Sequence, residues 1–258
     1  MPTRSIAELL NRTLVVVAHP DDECIGAGAL MQRIEDCAIV FCTDGAPRDA
    51  YFWQGCGSRE QYALLRHKEA KLAAEAIGVR RLEFLSIIDR ELYLHLADAH
   101  RALEKVVREF RPDAILSLAY EGGHPDHDCC AFLSNRIAAR DNIAVWEMAL
   151  YHRTRKSARQ QRFLRRAPST HTLQITANEL ARKHKMASAY RSQSKVLAGF
   201  DLQLESFRPL VKYDFSRPPA AVINYEAWQW PVTAANVCRA FAGFRTGRSV
   251  SVSGSVFR

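Results

Sequence analysis

Leu14-Val15-Val16-Val17-Ala18-His19-Pro20-Asp21-Asp22-Glu23 is an apolar, β-branched run that ends abruptly in a histidine, a proline and three consecutive acids. Such a run belongs in a strand buried on both faces, and unpaired carboxylates cannot follow it into a core. The acids therefore mark the place where the chain leaves a sheet. A second segment, His124-Pro125-Asp126-His127-Asp128, repeats this chemistry shortly after another apolar run, Ala114-Ile115-Leu116-Ser117-Leu118. Two strand ends that each carry His and Asp are the parts of a metal site.

Around these anchors the chain alternates between the two periodicities. Residues 14–18, 38–43, 82–88, 114–118 and 143–150 read as strands, and residues 26–34, 58–77, 97–110 and 130–139 as helices. Ser58 with Gln61 three residues on is a helix start, and Gly78 a helix stop. Alternation of this kind predicts an α/β, Rossmann-like fold whose mostly parallel sheet is covered by helices on both faces. Ligands then bind at the carboxyl ends of the strands, where both His-Asp clusters fall.

The flanks are less regular. Residues 5–10 suggest one helical turn. The loop 48–58 carries Tyr51, Phe52 and Trp53, which either wall a substrate or seal the loop to the core. Residues 153–166 hold seven basic side chains and no acid; if helical, Arg155, Arg159, Arg162 and Arg166 share a face. A strand is expected at 171–175, a helix at 178–191 capped by Thr176 with Glu179, another helix at 234–242, and a disordered tail at 245–258.

A chain of 258 residues fits one large domain. It has no stretch of about 18 apolar residues, so a soluble, cytoplasmic protein is expected. Seven cysteines without a Cys-x-x-Cys pair favour reduced, buried thiols over a disulfide framework or a thiolate-bound metal. The net charge of +8 attracts anions without identifying one. A Walker loop, a Gly-x-Ser-x-Gly elbow, His-Glu-x-x-His and a complete dinucleotide fingerprint are absent.

A catalytic zinc takes three protein ligands, usually His nitrogens and a carboxylate oxygen, and keeps one position open. His19 and Asp22, three apart on a tight turn, can face one point, and His127 can reach it from the neighbouring strand end. Asp21 is then free to act as a general base, and His124 to stabilise an oxyanion or protonate a leaving nitrogen. Asp126 would orient His124 by hydrogen bonding. The same ligand types admit Fe2+.

At these residues the sequence resembles the PIG-L, or LmbE-like, family of zinc-dependent de-N-acetylases. Its signature Ala-His-Pro-Asp-Asp-Glu stands whole at 18–23, and His-Pro-Asp-His at 124–127. Weaker matches are Thr43-Asp44-Gly45, Arg66-x-x-Glu69, Asp89-x-Glu91-Leu92, and residues 183–193 ending Tyr190-Arg191-Ser192-Gln193. The resemblance implies a deacetylase core over residues 1–193, with 194–258 as an extension of the same domain. It also implies zinc on His19, Asp22 and His127, Asp21 as base, and His124 assisting the oxyanion or leaving group. The implied reaction removes an N-acetyl group from an N-acetylglucosamine-containing substrate. Arg66 and Asp89 fall where relatives contact the sugar or its aglycone. In some relatives a tyrosine two residues before the second signature polarises the carbonyl; here that position is Gly122, and Tyr120 is the nearest substitute.

Arg48, on the second strand-end loop, is expected to rim the same mouth as Arg66 and Asp89, which together suit an anionic or hydroxyl-rich conjugate. Two alternatives stay open: an amidase of the same family acting on a larger amide, and a basic nucleic-acid binder with a structural metal. The dispersed charge and the lack of a recognition motif argue against nucleic acid. Homo-oligomerisation is left open by the sequence.

Overall fold

The computed structural model describes residues 5–165 and 167–245. From the opening run onward, β1 (Arg12–Val17), α1 (Asp22–Ala27), β2 (Asp36–Thr43), α2 (Arg59–Ile77), β3 (Arg81–Ile87), α3 (Leu96–Phe110), β4 (Ala114–Leu118), α4 (Pro125–Asp141) and β5 (Ala144–Met148) alternate without interruption. Two short strands, β6 (Tyr151–Arg153) and β7 (Ala158–Gln160), make a separate hairpin. After them come β8 (His171–Thr172), α5 (Ala177–Ala189), α6 (Ser194–Leu197), β9 (Ser206–Pro209), α7 (Asn224–Ala227) and α8 (Ala234–Arg245).

The main sheet has the order β3-β2-β1-β4-β5-β9-β8. The first five strands are parallel, as expected, and β9 and β8 add an antiparallel edge. β1 lies at the centre, with Val15 opposite Ile39 on one side and Leu116 on the other. Helix α5 packs against both α1 and α2, and α3, α4 and α8 associate with one another. One apolar cluster runs from Leu9 to Phe241, so residues beyond 193 help build the core of the sheet.

Both signature segments enter a helix sooner than the apolar periodicity indicates. α1 starts at Asp22 rather than residue 26, since carboxylates are favoured in a first turn and carry no apolar signal there. It ends at Ala27, and residues 30–33 form a separate 3-10 turn. α4 starts at Pro125 rather than residue 130, with proline in its first turn and His124 as cap. The basic stretch, whose arginines would share a face only in a helix, is instead the β6–β7 hairpin followed by irregular chain, so Arg155, Arg159 and Arg162 do not share a helical face. Arg166 and residues 246–258, most of the expected tail, lie outside the described residues.

Candidate active site

β1 and β4 are adjacent, but their outgoing chains cross to strands on opposite sides, β2 and β5. That is a topological switch point, where the carboxyl ends of the strands leave a crevice. His19 to Asp22 close the end of β1, and His124 to His127 follow β4 as the cap and first turn of α4. All of them are buried.

Asp22 joins the two segments. One carboxylate oxygen lies 3.2 Å from His19 Nδ1 and the other 3.2 Å from His127 Nε2. The backbone N–H of His19 also donates to Asp22 Oδ2, at 2.8 Å. His19 Nε2 points the other way, 3.1 Å from Asp89 Oδ1 and 3.4 Å from Asp126 Oδ2. Donor atoms of His19, His124 and His127 all lie within 4.8 Å of one another, and so do those of His19, Asp89, His124 and Asp126. Both groups include His124, the second adds Asp89, and neither includes the expected ligand Asp22.

These donors fit a divalent cation on an observation independent of spacing. His127 Nε2 is buried, and its 3.2 Å approach to Asp22 Oδ1 lacks hydrogen-bond geometry, while the cluster concentrates four carboxylates, from Asp21, Asp22, Asp89 and Asp126. A desolvated lone pair beside desolvated acids is costly unless a cation takes it up. Burial opposes a charge on His19, yet Asp89 and Asp22 outweigh it and raise the imidazole well above its ordinary value. Burial works against Asp22 as well, but His127 and His19 hold it well below the usual carboxylate range.

Asp21 takes a different environment. Burial pushes it up to about 6, against the opposing pull of the Arg66 guanidinium. Its backbone has φ 133°, a conformation that L-residues rarely adopt, and its N–H donates to Glu23 Oε2 at 3.0 Å. Glu23 accepts a short hydrogen bond from Tyr190, and burial raises it to about 8. Ser192 donates to Glu69 through both its N–H and its hydroxyl, and Gln193 to Tyr62. The dispersed Glu23, Glu69 and 190–193 elements are therefore one hydrogen-bonded brace under Asp21.

His124 Nδ1 accepts the backbone N–H of Asp126 at 3.2 Å. In the neutral ring the proton then sits on Nε2, which faces Asp89 Oδ1 at 3.6 Å. Burial, and next the charge on His19, lower His124 well below its ordinary value, and its place as cap of a long helix acts in the same direction. Asp126 orients His124 through its backbone rather than its side chain. Its carboxylate instead accepts N–H groups from Arg90 and Leu92, tying the loop after β3 to His19.

Of the residues expected at the mouth, Arg66 is not there. It is buried, with Nη2 donating to Pro20 O and lying 3.2 Å from Asp21 Oδ2. Asp89 is in the cluster itself. Arg48 is exposed, but its guanidinium is paired with both oxygens of Glu91, at 2.5 and 3.0 Å. Tyr120 points away: its hydroxyl donates to Arg217 O at 2.8 Å, within a nest of Tyr213, Phe215 and Phe241. Gly122 has a structural reason for replacing tyrosine. Its φ is +69°, and a Cβ there would meet Ile223 Cδ1 at 2.7 Å.

Several residues at the cluster escaped the sequence reading. The Tyr151 ring lies 5.1 Å from that of His127, and its phenol is raised well above the ordinary value by burial and then by Asp22 and Asp21. Trp230 meets His124 edge to face at 5.0 Å. It is carried there by the segment around α7, where Asn224 donates to the carbonyls of Gly122 and Gly123 and the Tyr225 hydroxyl to Asp128 Oδ2. The visible trace in the sequence was the aromatic cluster Tyr225, Trp228, Trp230, which has no periodicity.

Residues 14–138 match the family model described as PIG-L: GlcNAc-PI de-N-acetylase. The chain is 33% identical over 132 residues to a diacetylchitobiose deacetylase of Thermococcus kodakarensis, covering 48% of either chain. It is 31% identical over 122 residues to a probable N-acetyl-alpha-D-glucosaminyl L-malate deacetylase 2 of Bacillus cereus, covering 45% of this chain and 55% of that one. The chain spans about half the length of these curated relatives. The fold matches the crystal structure of a deacetylase-bog complex from the teicoplanin biosynthesis pathway with a TM-score of 0.63, over 79% of this chain and 99% of that one, at 17% identity. Among the described residues no helix is long and apolar enough to cross a membrane. Residues 14–138, just under half of the chain, are therefore what is similar to the PIG-L, or LmbE-like, family.

Proposed function

We propose that the chain hydrolyses the N-acetyl group of an N-acetylglucosamine-containing conjugate, using a divalent metal held by His19, Asp22 and His127. The observation that carries this reading is the placement of both oxygens of Asp22 3.2 Å from the two imidazoles, with Asp21 next in sequence and turned to Arg66 instead. Zinc suits two imidazoles and a carboxylate best, and Fe2+ is the alternative. When bound, such an ion supplies Lewis acidity toward the amide carbonyl and toward water.

The chain's own groups divide the remaining work. Asp21, near 6, is ionised at neutral pH yet basic enough to take a proton from the attacking water. The neutral His124 presents Nε2–H to the oxyanion that forms at the acetyl carbon, an arrangement that needs no charge on the ring. Asp89, between His19 and His124, is the carboxylate proposed to accept a sugar hydroxyl. Among relatives, the Thermococcus and Bacillus proteins named above are described as acting on N-acetylglucosamine conjugates.

Acetate release, screened over free, glycoside-linked, phosphate-linked and oligomeric N-acetylglucosamine with metal-stripped protein as control, tests the reading. Asp21→Asn should retain the metal and lose about 10²-fold or more in turnover. A variant with full activity would remove Asp21 from the mechanism. A second reading, a larger amide conjugate as substrate, is favoured by the exposure of Tyr51, Phe52 and Trp228.

A further inference from the structure

The loop after β3 carries a guanidinium that none of the assigned roles uses. Arg90 Cζ lies 3.7 Å from the centre of the Trp230 ring and 4.6 Å from that of Phe52. Its Nε is buried without a hydrogen-bond partner, and among the described residues no carboxylate forms an ion pair with it. The two arginines expected at the mouth are already committed, Arg48 to Glu91 and Arg66 to Asp21 and Pro20. Arg90 is therefore the unneutralised cation beside the cluster, close enough that its charge helps keep Asp89 ionised and His124 neutral.

Its surroundings restrict what it can bind. The cation–π contacts with two rings use no N–H donor, and Nε–H is without an acceptor. A forked, in-plane edge matches an oxyanion, either carboxylate or phosphate. The aromatic surface continues on both sides: Trp228 lies 5.0 Å from Trp230 and Tyr51 lies 5.4 Å from Phe52, and Trp228 and Tyr51 are exposed. Trp230 also touches His124, so a group on Arg90 sits one ring away from the reacting centre.

We propose that Arg90, clamped by Phe52 and Trp230, is the specificity-determining residue of a subsite for a ring-bearing aglycone that carries an oxyanion. The turnover arm of its test rests on the deacetylase reading; the binding arm does not. Three N-acetylglucosaminides of benzoate, of phenyl phosphate and of methyl benzoate are compared in wild type and Arg90→Gln. Calorimetric binding of the corresponding glucosaminides is measured in parallel.

The expected result is a preference of roughly tenfold or more for the anionic aglycones over the ester in wild type, in kcat/KM and in Kd alike. Arg90→Gln should abolish that preference, the anionic aglycones losing roughly tenfold or more relative to the ester in both readouts. Arg90→Lys should restore part of it, since the charge returns without the fork. A benzoate-to-phosphate ratio far from one identifies the oxyanion the subsite prefers. Anion-selective binding that depends on Arg90 without acetate release from any compound would support the subsite and overturn the deacetylase reading. Equal treatment of anionic and ester aglycones by wild type, or an equal loss on both in Arg90→Gln, would overturn the subsite.

Discussion

Arg66 and Asp21 are locked together beneath the cluster, with Nη2 of the arginine 3.2 Å from Oδ2 of the aspartate and both side chains buried. The contact opposes the burial that raises Asp21, so Arg66 helps set the pH at which the base is available. Removing the guanidinium must move the Asp21 pKa upward from about 6. With Asp21 as the proposed base, the acidic limb of kcat/KM should shift to higher pH in Arg66→Gln. The loss relative to wild type should accordingly be larger at pH 6 than at pH 8. A bound cation lowers the limb in both proteins and leaves the direction of the difference unchanged. Loss by the same factor across the pH range would show that Arg66 acts on Asp21 only through packing.

Lys183 on α5 is a structural counterpart to that pair. Its ammonium is fully buried, 2.6 Å from Glu205 Oε1, and donates to Ile25 O at 3.1 Å. Glu205 in turn accepts the N–H groups of Ala29 and Leu30, joining α5, the end of α1 and the approach to β9. Lys183→Met leaves a buried carboxylate without its cation, a change that costs about 3–5 kcal/mol. Urea denaturation measures it directly. A loss below about 1 kcal/mol would mean that Glu205 is satisfied by backbone donors alone.

Gly123 gives a steric test of how the second signature is held. A Cβ there would run into the Tyr151 carbonyl oxygen, a backbone clash that no adjustment of a side chain relieves. Gly123→Ala should cost about 2 kcal/mol or more in stability and displace Tyr151 from His127. Gly55, where a Cβ meets nothing within 4 Å, is the control and should change by less than about 0.5 kcal/mol. Thermal denaturation of the two variants side by side decides between a crowded and a tolerant loop.

The central sheet and the place of the site were legible because they rest on local patterns. Apolar runs gave β1 and β4 to within a residue or two, and the acids after them could only lie outside the core. Ser58, Gly78 and the Thr176–Glu179 capping box marked helix ends correctly because each is a backbone hydrogen-bonding rule written in one or two residues. What failed was long-range or depended on φ. The start of α1 at Asp22 follows from a non-glycine residue at φ 133°, which no composition reveals. Arg66 was expected at the mouth because helix position alone does not show that its side chain runs inward to Asp21. Trp230 and Tyr151 reach the cluster across more than a hundred residues of chain or through a strand end, and their aromatic character alone points equally to core.

The most direct measurement is metal content paired with acetate release, for wild type and His127→Ala, before chelation and after zinc is restored. The account predicts about one divalent ion per wild-type chain, little or none in His127→Ala, acetate release from an N-acetylglucosamine conjugate that chelation abolishes, and recovery on adding zinc to wild type alone. Equal metal content in the two proteins, or undiminished acetate release from the chelated enzyme, would contradict it.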